Sequence, residues 1–411
     1  MLDQDAWDPA TIGARLKVLR RWRRLTLNEL AGLSGLSKSF LSMAERGQRS
    51  LDRRSHIAAL ARALQVSEID LCGGPHLSSD VEQSAPHAYV PALRLAVTTN
   101  AWHTDPVVER ARSVDELVAT MAHQIEPPRR RYDFRRVGEL LPAVLDELHL
   151  HVAQPVDERA EVAALDGLVE AYMAAAGMAR SLGYLDLGAM AAMRATEAAA
   201  RLDDPISQGK AAFSMNRPSV TDLNRVAMLA CKAVDRVEPH ASQGPDGPET
   251  LGMLLLNAAL ARAATYDVQG AEEFLDAAEE LARRLPDDLD ANWQGFSATN
   301  VGIWRVSIAV ESGVPARQVL DLASRVEESK LDGRLGRKAC FFADVGRGLA
   351  RDASRRSEAI EWLRRSERVA PQRFRNDGKI REIVAVMLEQ ARVSSQGREL
   401  RGLAARLSIP H

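Results

Sequence analysis

Between Thr26 and Gly47 the chain reads TLNELAGLSGLSKSFLSMAERG, an order of residues that few backbones satisfy. Thr26 offers an oxygen to the free N–H groups of a helix start, and Leu27, Leu30, Ala31 and Ser34 follow at helical period. Gly35 then enters the left-handed region without strain, so the first helix ends in a tight turn. Ser37 is a second cap; Phe40, Leu41 and Ala44 make the next apolar stripe, and Gly47 closes it. Two short helices must therefore pack across one turn. The stripe spares Lys38, Ser39, Ser42 and Arg46, which cluster on the opposite side as the donors and acceptors a helix needs in a DNA major groove.

The flanks extend this pattern. Thr11 caps an earlier helix, expected through Arg24, with Ile12, Leu16 and Leu19 facing a core. Asp52 or Ser50 is expected to open a fourth helix lined by Ile57, Leu60, Ala61 and Leu64. Ser67 to Leu71 forms a short fifth before Gly73, Gly74 and Pro75 break it. From Ile12 to Cys72 the segment resembles the lambda-repressor/Cro-like helix-turn-helix family, also called the xenobiotic-response-element family, with no gap in the turn. The resemblance implies a five-helix domain that binds an operator in double-stranded DNA, usually as a homodimer. It puts Lys38 and Ser39 at the base-reading start of the third helix, Ser42 one turn later, and Thr26, Arg46 and Arg49 against phosphates. Arg49, Arg53 and Arg54 follow that helix directly and are phosphate candidates on position alone. Leu27 departs from the family, which often carries a Gln there to brace the reading side chain, so fewer direct base contacts are implied.

Charge is split along the chain. Between Thr11 and Gly73 twelve Lys and Arg face five Asp and Glu, a balance of +7; the whole chain sums to -2, so the remainder carries -9. Attraction to a polyanion is confined to one end, and the rest repels it.

A chain of 411 residues exceeds one ordinary core. With 46% hydrophobic residues, few aromatics and no strict alternation of β-branched residues, it is expected to be all-α. No run of about 18 apolar residues lacks a charge and no signal pattern opens the chain, which predicts no membrane span and a cytoplasmic protein. Cys72, Cys231 and Cys340 are too far apart for a zinc spacing and odd in number, so free buried thiols are expected. Neither HExxH nor GxSxG occurs, and no paired carboxylates or nucleophile set stands out, so the chain reads as a non-enzyme without cofactor or metal. His149 and His151 resemble a metal pair but diverge at i, i+2 on a helix. Asp332 to Lys338, DGRLGRK, has glycines too close for a phosphate-binding loop and reads as a polar corner.

The domains are expected at residues 1–73, a linker at 74–106 whose apolar patch Tyr89 to Val97 docks on the next domain, and helix pairs over 107–411. First helices of the pairs start near Asp157, Pro205, Pro248, Asp290, Gly333 and Asn376, a period of roughly 43 residues over the last five. Ala359, Ser366 and Pro371 have the spacing of a tetratricopeptide second helix, so the array resembles that family. The two resemblances together imply a regulator like those of Gram-positive bacteria with a tetratricopeptide-like α-solenoid, whose concave wall is made of first helices, and the Arg- and Ala-rich composition fits the actinobacterial type. Asn292, Phe296, Asn300, Trp304 and Ser307 fall on one helix face by spacing, with Asn257 in the preceding repeat; such amides and rings suit a peptide or small-molecule effector, or else are plain inter-helix core. Tyr172, Asn216 and Arg217 are weaker candidates of the same type. The reading is a dimeric, sequence-specific transcriptional regulator with an effector domain; the alternative is an interaction scaffold whose head is only an anchor.

Overall fold

The computed structural model describes residues 11–75, 84–100, 102, 105–216, 222–242, 244, 246–391 and 398–409, and the regular elements among them are all helical. The head comprises α1 (Ile12–Trp22), α2 (Leu27–Ser34), α3 (Lys38–Glu45), α4 (Arg54–Leu64) and α5 (Glu68–Cys72). Thr11, Thr26, Ser37 and Ser67 each cap the following helix through the side chain, and Thr26 closes a reciprocal capping box with Glu29. Gly35 makes the turn at φ 71°. Ile12, Leu16, Leu30, Leu41, Leu60 and Leu71 share one small core, so the head has an interior of its own.

One expectation fails here. Neither Ser50 nor Asp52 caps α4, which starts at Arg54 without a side-chain cap. Asp52 is 3% exposed and its carboxylate accepts from Arg351 at 2.7 Å, a partner far along the chain that outcompetes a local capping role.

The array begins with α6 (Val90–Thr99), α7 (Val114–Thr120), α8 (Glu126–Arg130), α9 (Phe134–Ala153), α10 (Glu158–Ser181), α11 (Leu185–Leu202), α12 (Pro205–Met215), α13 (Leu223–Val237), α14 (Gly247–Ala264) and α15 (Val268–Ala282). It continues with α16 (Ala298–Ser312), α17 (Ala316–Ala323), α18 (Leu335–Leu349), α19 (Arg356–Val369), α20 (Pro371–Asn376), α21 (Gly378–Ala391) and α22 (Arg398–Arg406). Successive helices pack as antiparallel pairs, α10 on α11, α14 on α15 and α18 on α19 most extensively. The expected linker patch is α6, with Leu93, Ala96 and Val97 inside the array core. α10 is long and apolar enough to cross a membrane, with a window of mean hydropathy 1.3, but 72% of that window is buried as a central helix of this core. A second core runs from Leu289 to Ile409.

The head is seated in the array. Ala58 of α4 packs against Leu223 and Ala264. Arg347, 2% exposed, reaches Glu311 at 3.0 Å and donates to the carbonyl of Asp52 at 2.8 Å. Glu311 in turn accepts from the Arg54 backbone at 3.0 Å. Burial alone would raise the Glu311 carboxyl, but Arg347 and Arg54 hold it well below the carboxylate range. On another side, Glu382 accepts from the backbone N–H groups of Gly13 and Leu51 at 3.3 and 3.2 Å.

Candidate nucleic-acid interface

α3 presents its start to solvent. Lys38 and Ser39 are exposed at its first turn, directly after the Ser37 cap, while Leu41 and Ala44 anchor the other side in the head core. Ser42, one turn on, is partly exposed and accepts from the Arg46 guanidinium at 2.5 Å, and Arg46 also reaches Gln48 at 3.1 Å. Arg46 and Arg49 are exposed. Among the described residues Lys38 and Arg49 have no ion-pair partner, so both charges remain available to a polyanion.

Two expected contacts are placed differently. The Thr26 hydroxyl is exposed but already donates to Glu29 at 2.8 Å and accepts the Glu29 N–H at 3.2 Å, so its first task is the cap. Arg53 lies half-buried against the array, its guanidinium filling the space beside Gly313 where a Cβ would come within 1.6 Å. Burial, then repulsion from Arg351, holds its pKa below the ordinary value, and Arg53 belongs to the seam rather than to the α3 surface.

The orientation of α3 depends on residues whose role was not legible. Arg20 donates to Glu45 at 2.5 and 2.8 Å and to the Leu25 carbonyl at 2.7 Å, tying the end of α3 to α1 and to the entry of α2. Arg23 caps the end of α4 through the carbonyls of Leu64 and Gln65. The run of four arginines carried the signal, yet only Arg21 and Arg24 of it are exposed. Phe40 meets His56 edge-on at 5.1 Å, and burial followed by Arg53 lowers the His56 pKa to about 4, so this contact is neutral at physiological pH.

The expected effector face does not form as one helix face. α16 starts at Ala298 behind a Ser297 cap, and Asn292 and Phe296 precede it in a turn where Gln294 takes φ 51°. Asn292 donates to the carbonyls of Pro286 and Phe296. Asn257, Asn300 and Phe296 are fully buried, Trp304 is 4% exposed, and the Phe296 ring covers Gly252. Asn257, Asn292, Phe296 and Asn300 are inter-helix core and not the wall of an open groove; of this set only Trp304 and Ser307 border a small cavity. Tyr172 is likewise buried, bonded to His149 at 2.7 Å. Asn216 is buried, and Arg217 lies outside the described residues. His151 faces the Arg112 carbonyl, and no cluster fit for a metal occurs among the described residues. The three cysteines are half-buried free thiols, and burial pushes the Cys72 thiol up to about 12.

Two capped helices around a left-handed glycine, with the second helix open to solvent amid exposed cations, define a helix-turn-helix domain, and residues 11–71 match the family described by that name. Its relatives include the HTH-type transcriptional repressor RghR of Bacillus subtilis (strain 168), 39% identical over 56 residues, which are 14% of this chain and 42% of the relative. The HTH-type transcriptional regulator RghRB of the same organism, described as uncharacterized, is 43% identical over 54 residues, 13% of this chain and 39% of its own length. The chain thus spans about two fifths of the length of the curated relatives it matches. No solved structure matches the chain.

Proposed function

We propose that the protein is a DNA-binding transcriptional regulator, acting in the cytoplasm as a homodimer, in which α3 enters the major groove of an operator. The observation that carries this reading is the exposure of Lys38 and Ser39 at the first turn of α3 while the head is seated in the array. Lys38, Ser39 and Ser42 read base edges; Arg46, Arg49 and the start of α2 at Thr26 hold phosphates. Two copies would place their α3 helices about 34–36 Å apart, one turn of duplex. The array is read as a tetratricopeptide-like solenoid, supported by Ala359 buried between helices, Ser366 bonded to the Ala339 carbonyl of the paired helix, and Pro371 opening the next one. It carries no catalytic role in this reading.

The test is binding of the full chain to sequences selected from random DNA, measured across a salt series. Lys38→Ala should cost about 1–3 kcal/mol on the preferred sequence and relax the preference, whereas Arg49→Ala should weaken every sequence and reduce the salt slope by about 1. Equal losses from both on all sequences would contradict the division of roles. Selection of no sequence at all, with one polypeptide co-purifying, would favour a scaffold.

A further inference from the structure

Where α4 and α5 face the array, a cavity of about 340 Å³ lies between the two, within the range of small-molecule sites of roughly 300–1,000 Å³. Arg54, Ile57, Glu68 and Cys72 line it from the head, and Tyr132, Phe134 and a ring of cations line it from the array. The wall is electrically one-sided: eight Arg and Lys side chains against two acids, Glu68 and Asp377. Half of the cations are engaged elsewhere. Arg54 pairs with Glu311 at 3.4 Å, Arg129 and Arg130 share Glu126 at 2.5 and 2.8 Å, and Arg334 donates to the carbonyls of Leu289 and Asn292.

The other four, Arg180, Arg337, Arg373 and Lys379, converge from α10, α18, α20 and α21 with no ion pair among the described residues, though Arg337 lies over the Trp304 ring at 5.3 Å and Arg373 bonds Cys340. Burial lowers the Arg180 pKa to about 10, and burial followed by Arg54 keeps the Lys379 ammonium below its ordinary value. Buried like charges are unfavourable until an anion completes them. Two of the seven non-glycine residues with positive φ among the described residues also stand here. Tyr132 and Gln294, both in the wall, hold φ values of 61° and 51°, and the Tyr132 ring occupies the room left by Gly336. Non-glycine residues persist in that region only where their surroundings over-determine them, often at ligand sites.

We propose that this cavity binds a small polyanion carrying phosphate groups, of about nucleotide size, and that its occupancy sets how firmly the head is held in the array. Guanidinium forks and an ammonium arriving from four directions match an oxygen-rich anion of two or more charges, whereas one carboxylate would satisfy a single fork. Tyr132, edge-on to Phe134 at 4.9 Å, adds an aromatic surface beside the cations for a base to lie on. The binding half of the proposal stands on the cavity alone; the clamping half rests on the regulator reading above.

Calorimetric titration of the full chain with inorganic pyrophosphate, ADP and citrate at matched ionic strength tests it. Pyrophosphate and ADP are expected to bind and to raise the thermal midpoint. Arg337→Gln with Arg373→Gln should weaken both by about 100-fold, taking each lost charge-assisted contact as about tenfold. The unliganded midpoint of Arg180→Gln with Lys379→Gln should not fall, because burial disfavours both charges and a repulsion is removed, which a purely structural pair would not allow. Should the first variant fail to fold, this second one gives the same weakening. Lys38→Ala should titrate as the parent does. Absence of heat and of a midpoint shift at millimolar pyrophosphate and ADP, or equal binding of citrate, overturns the site. Pyrophosphate binding with unchanged DNA affinity overturns the clamp alone, and titration by a chain that selects no DNA overturns the regulator reading while the site stands.

Discussion

Glu382 shows how much can depend on one carboxyl group. It is 1% exposed beneath the head, and burial lifts its pKa from 4.5 to about 7, with the Gly13 and Leu51 N–H groups opposing only in part. The folded state therefore holds a proton that the unfolded chain releases near 4.5, so stability falls as pH rises from there to about 7 and levels off above. Glu68, raised by burial to about 7, contributes in the same direction. Glu382→Gln should flatten this decline, gaining on the order of 2 kcal/mol over the parent between pH 5 and pH 8 in denaturant titrations. An unchanged slope would mean that the carboxyl is ionised in place. Thr26 acts at the same scale: Thr26→Ala removes the capping box and should cost about 1 kcal/mol of head stability, whatever it does to DNA binding.

At the scale of elements, α18 is the latch. Arg347 stands between Glu311 and Asp52, both nearly sealed from water, so Arg347→Met should destabilise the fold by about 3 kcal/mol by taking one cation from each of two buried carboxylates, which keep only Arg54 and Arg351. A midpoint shift no larger than that of a surface substitution would count against the latch. α14 is tight for another reason: a Cβ at Gly252 would lie 2.1 Å from the Phe296 ring, and Gly252→Ala should cost about 1–3 kcal/mol in thermal denaturation. Elements were legible wherever the signal is local. The caps at Thr11, Thr26, Ser37 and Ser67 and the helix starts near Asp157, Pro205 and Pro248 follow from residues within one turn of each other. Asp52 reads as a cap from its neighbours alone because its true partner is 299 residues away. The amide and aromatic spacing from Asn292 passes for a helix because a left-handed glutamine, Gln294, leaves no mark in periodicity. Exposure of Lys38 and Ser39 was legible as the polar side of a short stripe; the cationic cavity was not, since its arginines and lysine meet only through tertiary packing.

For the molecule as a whole, the outcome is a basic head seated in an acidic helical array with the start of α3 still open to solvent. Ala58 offers a way to part them. It is fully buried between Leu223 and Ala264 yet lies outside the head's own core, so Ala58→Glu should drive the two apart without disturbing α3. The expected result is a larger radius of gyration in solution scattering and faster amide exchange at Gly13 and Leu51, with Leu30 and Leu41 still protected. Loss of protection at all four would mean that the head cannot stand alone. The order of synthesis matters too, because every residue of the latch outside the head lies at or beyond Glu311. At about 5–20 residues per second, a nascent head waits on the order of 15–60 s on the ribosome before the latch is made. On the regulator reading, a nonsense codon before position 223 removes both the latch and the Ala58 seat and frees that head permanently, and such an allele should override an intact copy in the same cell.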